Sequence, residues 1–533
     1  MTVDEILKKL AVIGPARRGQ ITEQWYEKTG KDGRKKRQGP YYVWTRYDDG
    51  RKITERVPAA DIDRAKDELA RGEEVNELFR EFFRAKEAEA CGGGQKKNFG
   101  DDAWQCGFEL RQAFEEIRRK IGAGDELTFV SLEETVREAA LKTAARFLGR
   151  FYTNELPALL GMSDVPGGCG MREVTVLSTV GEITYLRLYV RDADGKRSFP
   201  LDTAIGAVAG CTPAMASLLS RAGAMNQSYD VAGENASKMI GVRVEGRRIH
   251  RVIDAVSDEE LKWIAERPVE SCPKGGILNL QADMTGLPLR KEDLVGTKGH
   301  DGKDPKKKQI KVGAVFLQEE NAEKEMQRIP GSTTRVAEFS DWRDFKDKLY
   351  NEAVRRGYNN AAKVAFVSDG ADWIWDMATD RFKGAVQIVD FFHACEHLGA
   401  LCELVHPEKD EAYSTLFEER RRMLKKWGVN SMIAYFEKLA VGHKRSEAIT
   451  SALGYFRNHQ ERMQYRKFRK AGFFIGSGVI EGTCKCLVNQ RCDLAGQRWH
   501  PGSSQKVLAI RAAVMDHLHD AYWQARSAFR RSA

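Results

Sequence analysis

Between residues 276 and 400, short apolar runs alternate with turn residues and with longer amphipathic stretches. GGILNLQADMTGLPL reads as a strand and KEDLVGTKGHDGKDPKKKQ as a polar hairpin; IKVGAVFLQ and STTRVAEFS read as two further strands. DWRDFKDKLYNEAVRRG is an amphipathic helix closed by its glycine, followed by KVAFVSDGADWIWDMA and AVQIVDFFHACEHLGALCELV, each a strand running into a helix. The order is three strands, helix, strand, helix, strand, helix. An antiparallel meander accounts for the first three strands, and the later βαβ crossovers require parallel pairing. The expectation is a mixed sheet covered by helices. Residues 401–475, including EERRRMLKKWGVNSMIAYFEKLA, carry helical pattern only.

Upstream, residues 1–95 form a first unit. Aromatic and β-branched residues alternate there with the turn signals TGKDG and DDG, as in a small β-meander, and the helix DIDRAKDELARGEEVNELFREFFRAKEAEA follows. The run CGGGQKKNFGDD marks the boundary. Residues 100–275 combine an amphipathic helix (EETVREAALKTAARFLGRFYTNEL) with three strand-like runs in REVTVLSTVGEITYLRLYVRDADGKRSFPLD. SYDVAGENASKMIGVRVEGRRIHRVIDAV then splits into helices 229–240 and 247–255 around Gly241 and Gly246. Such a pair fits a helix-turn-helix or an ordinary helical hairpin with a basic face. In the first case Arg247, Arg248, His250 and Arg251 face DNA while Ile249, Val252 and Ile253 pack inward. Residues 476–533 close the chain with a glycine-flanked turn and C-terminal helices, so the whole is a multidomain α/β protein.

Composition narrows the partners. Across 533 residues, 86 Lys+Arg against 77 Asp+Glu leave a formal charge of +9, a moderate excess that suits a polyanion without demanding one. The basic residues are clustered: Arg34, Lys35, Lys36 and Arg37 stand beside Tyr41, Tyr42, Trp44 and Tyr47, so cations for phosphate sit next to rings for stacking, or simply next to a small aromatic core. No apolar run has membrane-spanning length and the start lacks a secretory pattern. The 10 cysteines include no C-x-x-C pair, which points to thiols in a reducing cytoplasm and away from zinc. Cys395, Glu396 and His397 crowd one helical turn and have poor spacing for a tetrahedral site.

The candidate chemistry lies in carboxylates. Asp283 and Asp369 each break an apolar run at its C-terminal end, where an α/β sheet opens onto a crevice. Glu481, in GSGVIEGTCK, follows a glycine turn at a helix start. Each has a structural explanation of its own, as a turn aspartate or a dipole-favoured glutamate. Together they form a hard-oxygen set suited to Mg²⁺ or Mn²⁺. Two such ions about 3.5–4 Å apart activate a water or a 3′-hydroxyl and stabilise the leaving oxygen at phosphorus.

That order, Asp on strand one, Asp on strand four and Glu on a late helix, resembles the RNase H-like DDE transposases. The resemblance is close to the ISKra-type insertion-sequence transposases of bacteria. It is carried by LNLQADMTGLPLR, VAFVSDGADWIWDMA, VQIVDFFHACEHL, GSGVIEGTCK and CDLAGQRWHPGSSQKVLAIRAAVMDHLHDAYW, and upstream by REVTVLSTVGEITYLRLYV. It implies that Asp283, Asp369 and Glu481 form the catalytic, metal-binding triad with two Mg²⁺ or Mn²⁺ ions. It also implies an RNase H-like core interrupted by a helical insertion, and a function of cutting and joining the ends of a mobile element. The partners would be terminal inverted repeats and target DNA, and the assembly a homodimer or higher oligomer. Asp390 and His393, in DFFH, match a D-x-x-H pattern of several DDE superfamilies, which implies either a supporting role near the metal or the DNA or packing support for the active site. Lys485, Arg498 and Trp499 are further DNA-contact candidates. The chain departs from its relatives at RDADGKRS, where they often carry a cysteine knuckle. A catalytically silent DNA-binding derivative and a structure-selective nuclease are the rival readings.

Overall fold

The computed structural model describes residues 3–29, 35–48, 51–91, 107, 111–112, 114–115, 117–119, 128–162, 168–191, 194–270, 272, 276–295 and 305–529. The chain divides into two compact units, Met1–Asp102 and Ala103–Ala533.

In the first unit β1 (Gln20–Thr29), β2 (Lys35–Asp48) and β3 (Arg51–Val57) form the expected antiparallel meander. The helix Ile62–Cys91 follows. Trp44, Val57 and Ala65 are buried together, with Ile21, Tyr42, Ile62 and Leu69 packed around them, so one face of the sheet is closed by the helix. Arg34 and the side chain of Lys36 lie outside the described residues.

In the second unit β4 (Gly168–Ser178), β5 (Gly181–Arg191) and the short β6 (Arg197–Ser198) make an antiparallel hairpin sheet. The sequence RDADGKRS thus joins two paired strands, with Val190 opposite Ser198. A helical group follows: Pro213–Met225, Tyr229–Ile240 and Gly246–Ala265. The first of these has no counterpart in the sequence pattern described above. The third runs ten residues past the expected end at 255, because Val256, Ser257 and Glu260 continue its buried face. Gly241 ends the middle helix in the left-handed region, and a Cβ at Gly233 would stand 2.5 Å from the Val244 carbonyl oxygen. Glycine there lets the helix approach the turn backbone.

The central sheet is mixed, as expected. It comprises β7 (Ile277–Pro288), β8 (Lys307–Glu320), β9 (Met326–Arg328), β10 (Thr334–Glu338), β11 (Lys363–Ser368) and β12 (Val386–Val389). The order is β10-β8-β7-β11-β12, with β9 on β8. β8 is antiparallel to β7 and β10, and β11 is parallel to both β7 and β12. Alternation along β8 sends Ile310, Val312 and Ala314 to one core, with the helical group and the C-terminal helix Pro501–Met515. Val315 and Leu317 go to the other, with the helices Trp342–Arg355, Asp372–Arg381 and Phe391–Val405. That second core extends into helices Glu411–Lys426, Val429–Ala440 and Ser446–Asn458, the all-helical block anticipated from its pattern. Among the described residues no helix is long and apolar enough to cross a membrane.

Candidate active site

Three aspartates stand side by side where the parallel strands end. Val367 pairs with Gln281, and Ser368 pairs with Val389. One or two residues further on, the same register aligns Asp369 with Asp283 on one side and with Asp390 on the other. Asp369 and Asp390 directly follow β11 and β12. Asp283 differs from the expectation: it is not at the end of its strand. β7 continues to Pro288 because its antiparallel pairing with β8 outlasts its parallel pairing with β11.

The fourth acid arrives on the turn after the helical block. Glu481 lies in the first turn of the helix Gly478–Thr483. The preceding turn is clamped from both sides of the sheet. Gln281 donates its amide to the Gly476 carbonyl (3.1 Å) and accepts from the Ile480 N–H (2.9 Å). The Phe391 N–H donates to the Ile475 carbonyl (2.8 Å). Asp390, 1% exposed, accepts from the Ser477 N–H with one oxygen and from the His393 N–H (2.7 Å) with the other. Both of its oxygens are therefore committed, one to capping the helix Phe391–Val405 and one to the turn. It acts as a brace.

Asp283, Asp369, Glu481, Asp390, His393, Glu396 and Ser477 line one cavity of about 270 Å³. Asp283 is held above the ordinary carboxyl range by burial first, and the charges of Asp369 and Glu481 push in the same direction against the hydrogen bond from the Met284 N–H. Its oxygens accept from the Met284 N–H (2.6 Å) and from the Cys484 thiol (3.7 Å). Burial and the neighbouring Asp283 carboxylate raise that thiol, so Cys484 stays protonated and donates. Asp369 accepts from the Ala371 N–H (3.1 Å) through one oxygen only. Its own carbonyl receives the Tyr455 hydroxyl (3.2 Å), and Gly370 (φ +112°) would place a Cβ 2.9 Å from that hydroxyl. Glycine is required after Asp369 on both counts. Glu481 is exposed and, among the described residues, its carboxylate receives only the Ser477 hydroxyl (3.4 Å). Beyond it the helix widens into a π turn, Cys484–Asn489, which packs on β7, with the Thr285 hydroxyl donating to Asn489 (3.1 Å).

The donor chemistry fits a divalent cation. Five carboxylates line the cavity; of Asp283, Asp369 and Glu481, the last two each keep an oxygen that accepts no hydrogen bond among the described residues, and the mutual repulsion of the set is the kind a hard cation relieves. Among the described residues, no three His, Cys, Asp or Glu side chains already converge at ligating distances. His393 lines the same cavity, its Nδ1 3.1 Å from Glu396. The neighbouring His397 is stacked on Tyr455 at 3.6 Å between ring centroids. Cys395 is buried in the core with its thiol pushed up to about 11 by burial, whereas Glu396 is exposed on the same helix.

The DNA-contact candidates divide. Arg247 and Arg251 are exposed, and Ile249, Val252 and Ile253 are buried, as expected for the second helix of the pair. Arg248 and His250 are half-buried, with His250 edge-on to Tyr229 and 3.4 Å from the Ser503 hydroxyl. Lys35, Arg37, Lys485 and Arg498 are exposed, and no ion pair joins Lys485 to Glu481 among the described residues. Trp499 is a correction. It is 9% exposed, its indole N–H donates to the Cys492 carbonyl (3.1 Å), and its backbone pairs with Leu289 beyond β7. It packs the chain against the sheet and offers no surface to DNA. Arg491 carries no mark in the sequence of being a buried group: 1% exposed, it donates to the Gly223 carbonyl (2.9 Å) and lies between Tyr229 and Trp499. Gln281 and Tyr455 are equally silent in sequence, since nothing local distinguishes a buried glutamine or a half-buried tyrosine that clamps a distant turn. No protein-family model and no curated protein matches the chain.

Proposed function

We propose that this chain is a DDE transposase of the ISKra type, cleaving DNA strands at the ends of its own element and joining them to target DNA. The observation that carries the reading is the shared cavity of Asp283, Asp369 and Glu481, three acids remote in sequence, at the carboxyl end of the parallel strands. An RNase H-like core is supported by the meander of β7, β8 and β10 extended by β11 and β12 parallel to β7, with the helical block inserted before the glutamate.

In this reading Asp283, Asp369 and Glu481 hold Mg²⁺ or Mn²⁺, which when bound supply activation of the attacking hydroxyl and stabilisation of the leaving oxygen. The chain's own part is positional. Gln281 and Asp390 fix the turn that brings Glu481 opposite the two aspartates. The Cys484 thiol and Met284 N–H orient Asp283. Tyr455 and Gly370 set the turn that presents Asp369. Arg247 and Arg251 on the exposed side of Gly246–Ala265 would meet the terminal repeats, and acting on two ends in concert calls for at least a dimer.

The test is strand cleavage and joining on DNA carrying the element's ends, with Mg²⁺ or Mn²⁺, comparing wild type with Glu481→Gln. Nicking and joining by wild type, and neither by a variant that still binds, is the expected result. Cleavage without joining would favour the structure-selective nuclease. Binding without cleavage by wild type would favour the silent DNA-binding derivative.

A further inference from the structure

The helical block touches the turn after β11 through the Tyr455 side chain. Tyr455 lies on the helix Ser446–Asn458, and its hydroxyl donates to the Asp369 carbonyl (3.2 Å). Burial raises that hydroxyl well above the ordinary tyrosine range, and the charges of Asp369, Asp390 and Glu396 push the same way, so it stays protonated and donates. A hydroxyl at the far end of a ring aims at one carbonyl only while the ring itself is held. Two imidazoles hold it. His459, one turn further along the same helix, meets the ring edge-on at 4.9 Å. His397 lies flat on it, with 3.6 Å between centroids and 15° between planes. His397 comes from a different element, the helix Phe391–Val405, whose first turn Asp390 caps.

We infer that His397 is a positioning residue for the Asp369 metal ligand, acting through the Tyr455 ring on which it stacks. This role rests on the reading of Asp369 as a ligand of Mg²⁺ or Mn²⁺ and adds that the helical block sets how tightly the ion is held. Asp369 has few other restraints. One carboxylate oxygen accepts from the Ala371 N–H (3.1 Å), and the Tyr455 hydroxyl fixes the backbone of the same residue. Groups that orient a metal ligand are worth about 10–100-fold in metal affinity. His397 contributes a flat face and no nitrogen: among the described residues its ring makes no hydrogen bond, and its contacts are with the rings of Tyr455 and His393. Another aromatic ring can therefore replace it.

The experiment is titration of the full chain with MgCl₂, without DNA, read by calorimetry and independently by the rise in melting midpoint. Tyr455→Phe keeps the ring and removes the hydroxyl, so its Kd for Mg²⁺ should rise about tenfold. His397→Ala should raise Kd by a similar factor. The double variant should be no weaker than the weaker single, since both changes act through one hydrogen bond. His397→Phe restores a flat ring and should bind within about twofold of wild type. Leu219→Ala, a cavity in the other core, should lower the melting midpoint and leave Kd unchanged. Wild-type affinity in Tyr455→Phe overturns the inference by itself, whether or not His397→Ala folds. Wild-type affinity in His397→Ala overturns it too, as does His397→Phe binding as weakly as His397→Ala, or losses that multiply in the double variant. Absence of Mg²⁺ binding by wild type overturns it together with the metal reading. Binding by wild type that is lost in Asp369→Asn, yet unchanged in the His397 and Tyr455 variants, leaves the metal reading standing and removes only the positioning role.

Discussion

Replacing Asp390 separates bracing from ligation. Its carboxylate is buried and accepts two backbone N–H groups, that of His393 at a helix start and that of Ser477 in the turn before Glu481. Asp390→Ala removes the cap, at a cost of about 1 kcal/mol. It also leaves the buried Ser477 N–H without an acceptor, at about 1–3 kcal/mol. The sum is about 2–4 kcal/mol, which at roughly 2–3 °C per kcal/mol for a large domain lowers the melting midpoint by about 4–12 °C. Asp390→Asn keeps an oxygen for the cap but turns an NH₂ toward Ser477, so it should lose only the second part. The assay is thermal melting with and without Mg²⁺, paired with strand cleavage. Both variants should melt early yet still gain stability from Mg²⁺, while cleavage falls about a hundredfold because a turn displaced by ~1 Å misplaces Glu481. An unchanged melting midpoint would refute the bracing account. Loss of the Mg²⁺ response with stability intact would make Asp390 a metal ligand instead.

Mg²⁺ itself should raise the wild-type melting midpoint, by the equivalent of about 2.7 kcal/mol at a hundredfold excess over Kd, and should not do so in Asp369→Asn. Asp283 binds its proton more tightly in the folded chain than in the unfolded one. Without metal, its penalty is therefore absent below about pH 3.9 and grows as pH rises through the raised folded value. Asp283→Asn should accordingly be more stable than wild type at neutral pH, with the difference vanishing in acid, while cleavage is abolished; melting across that range checks it. Arg491→Met should cost about 1–3 kcal/mol in chemical denaturation by stranding the Gly223 carbonyl, the Gln227 carbonyl keeping the Gln497 amide (2.9 Å), and Arg491→Lys should not rescue it, since an ammonium reproduces neither the fork nor the stacking between Tyr229 and Trp499.

Local pattern determined a good deal of this protein. Alternation and apolar runs located the meander of the first unit, the strand and helix order of the mixed sheet and the helical block, because backbone period is written in neighbouring residues. The places where Asp283 and Asp369 interrupt apolar runs were visible for the same reason. Tertiary structure alone decided which acids share a cavity, since that depends on sheet order and register. It also decided that β7 runs past Asp283, because its partner β8 does. In sequence Asp390 was open between a role near the metal or the DNA and packing support, and Trp499 stood as a DNA contact. Each is buried by a segment far along the chain, Asp390 by the turn at Ser477 and Trp499 by the end of β7. Gln281 and Arg491 gave no signal, because a buried polar side chain takes its role from carbonyls and N–H groups that only folding brings within reach.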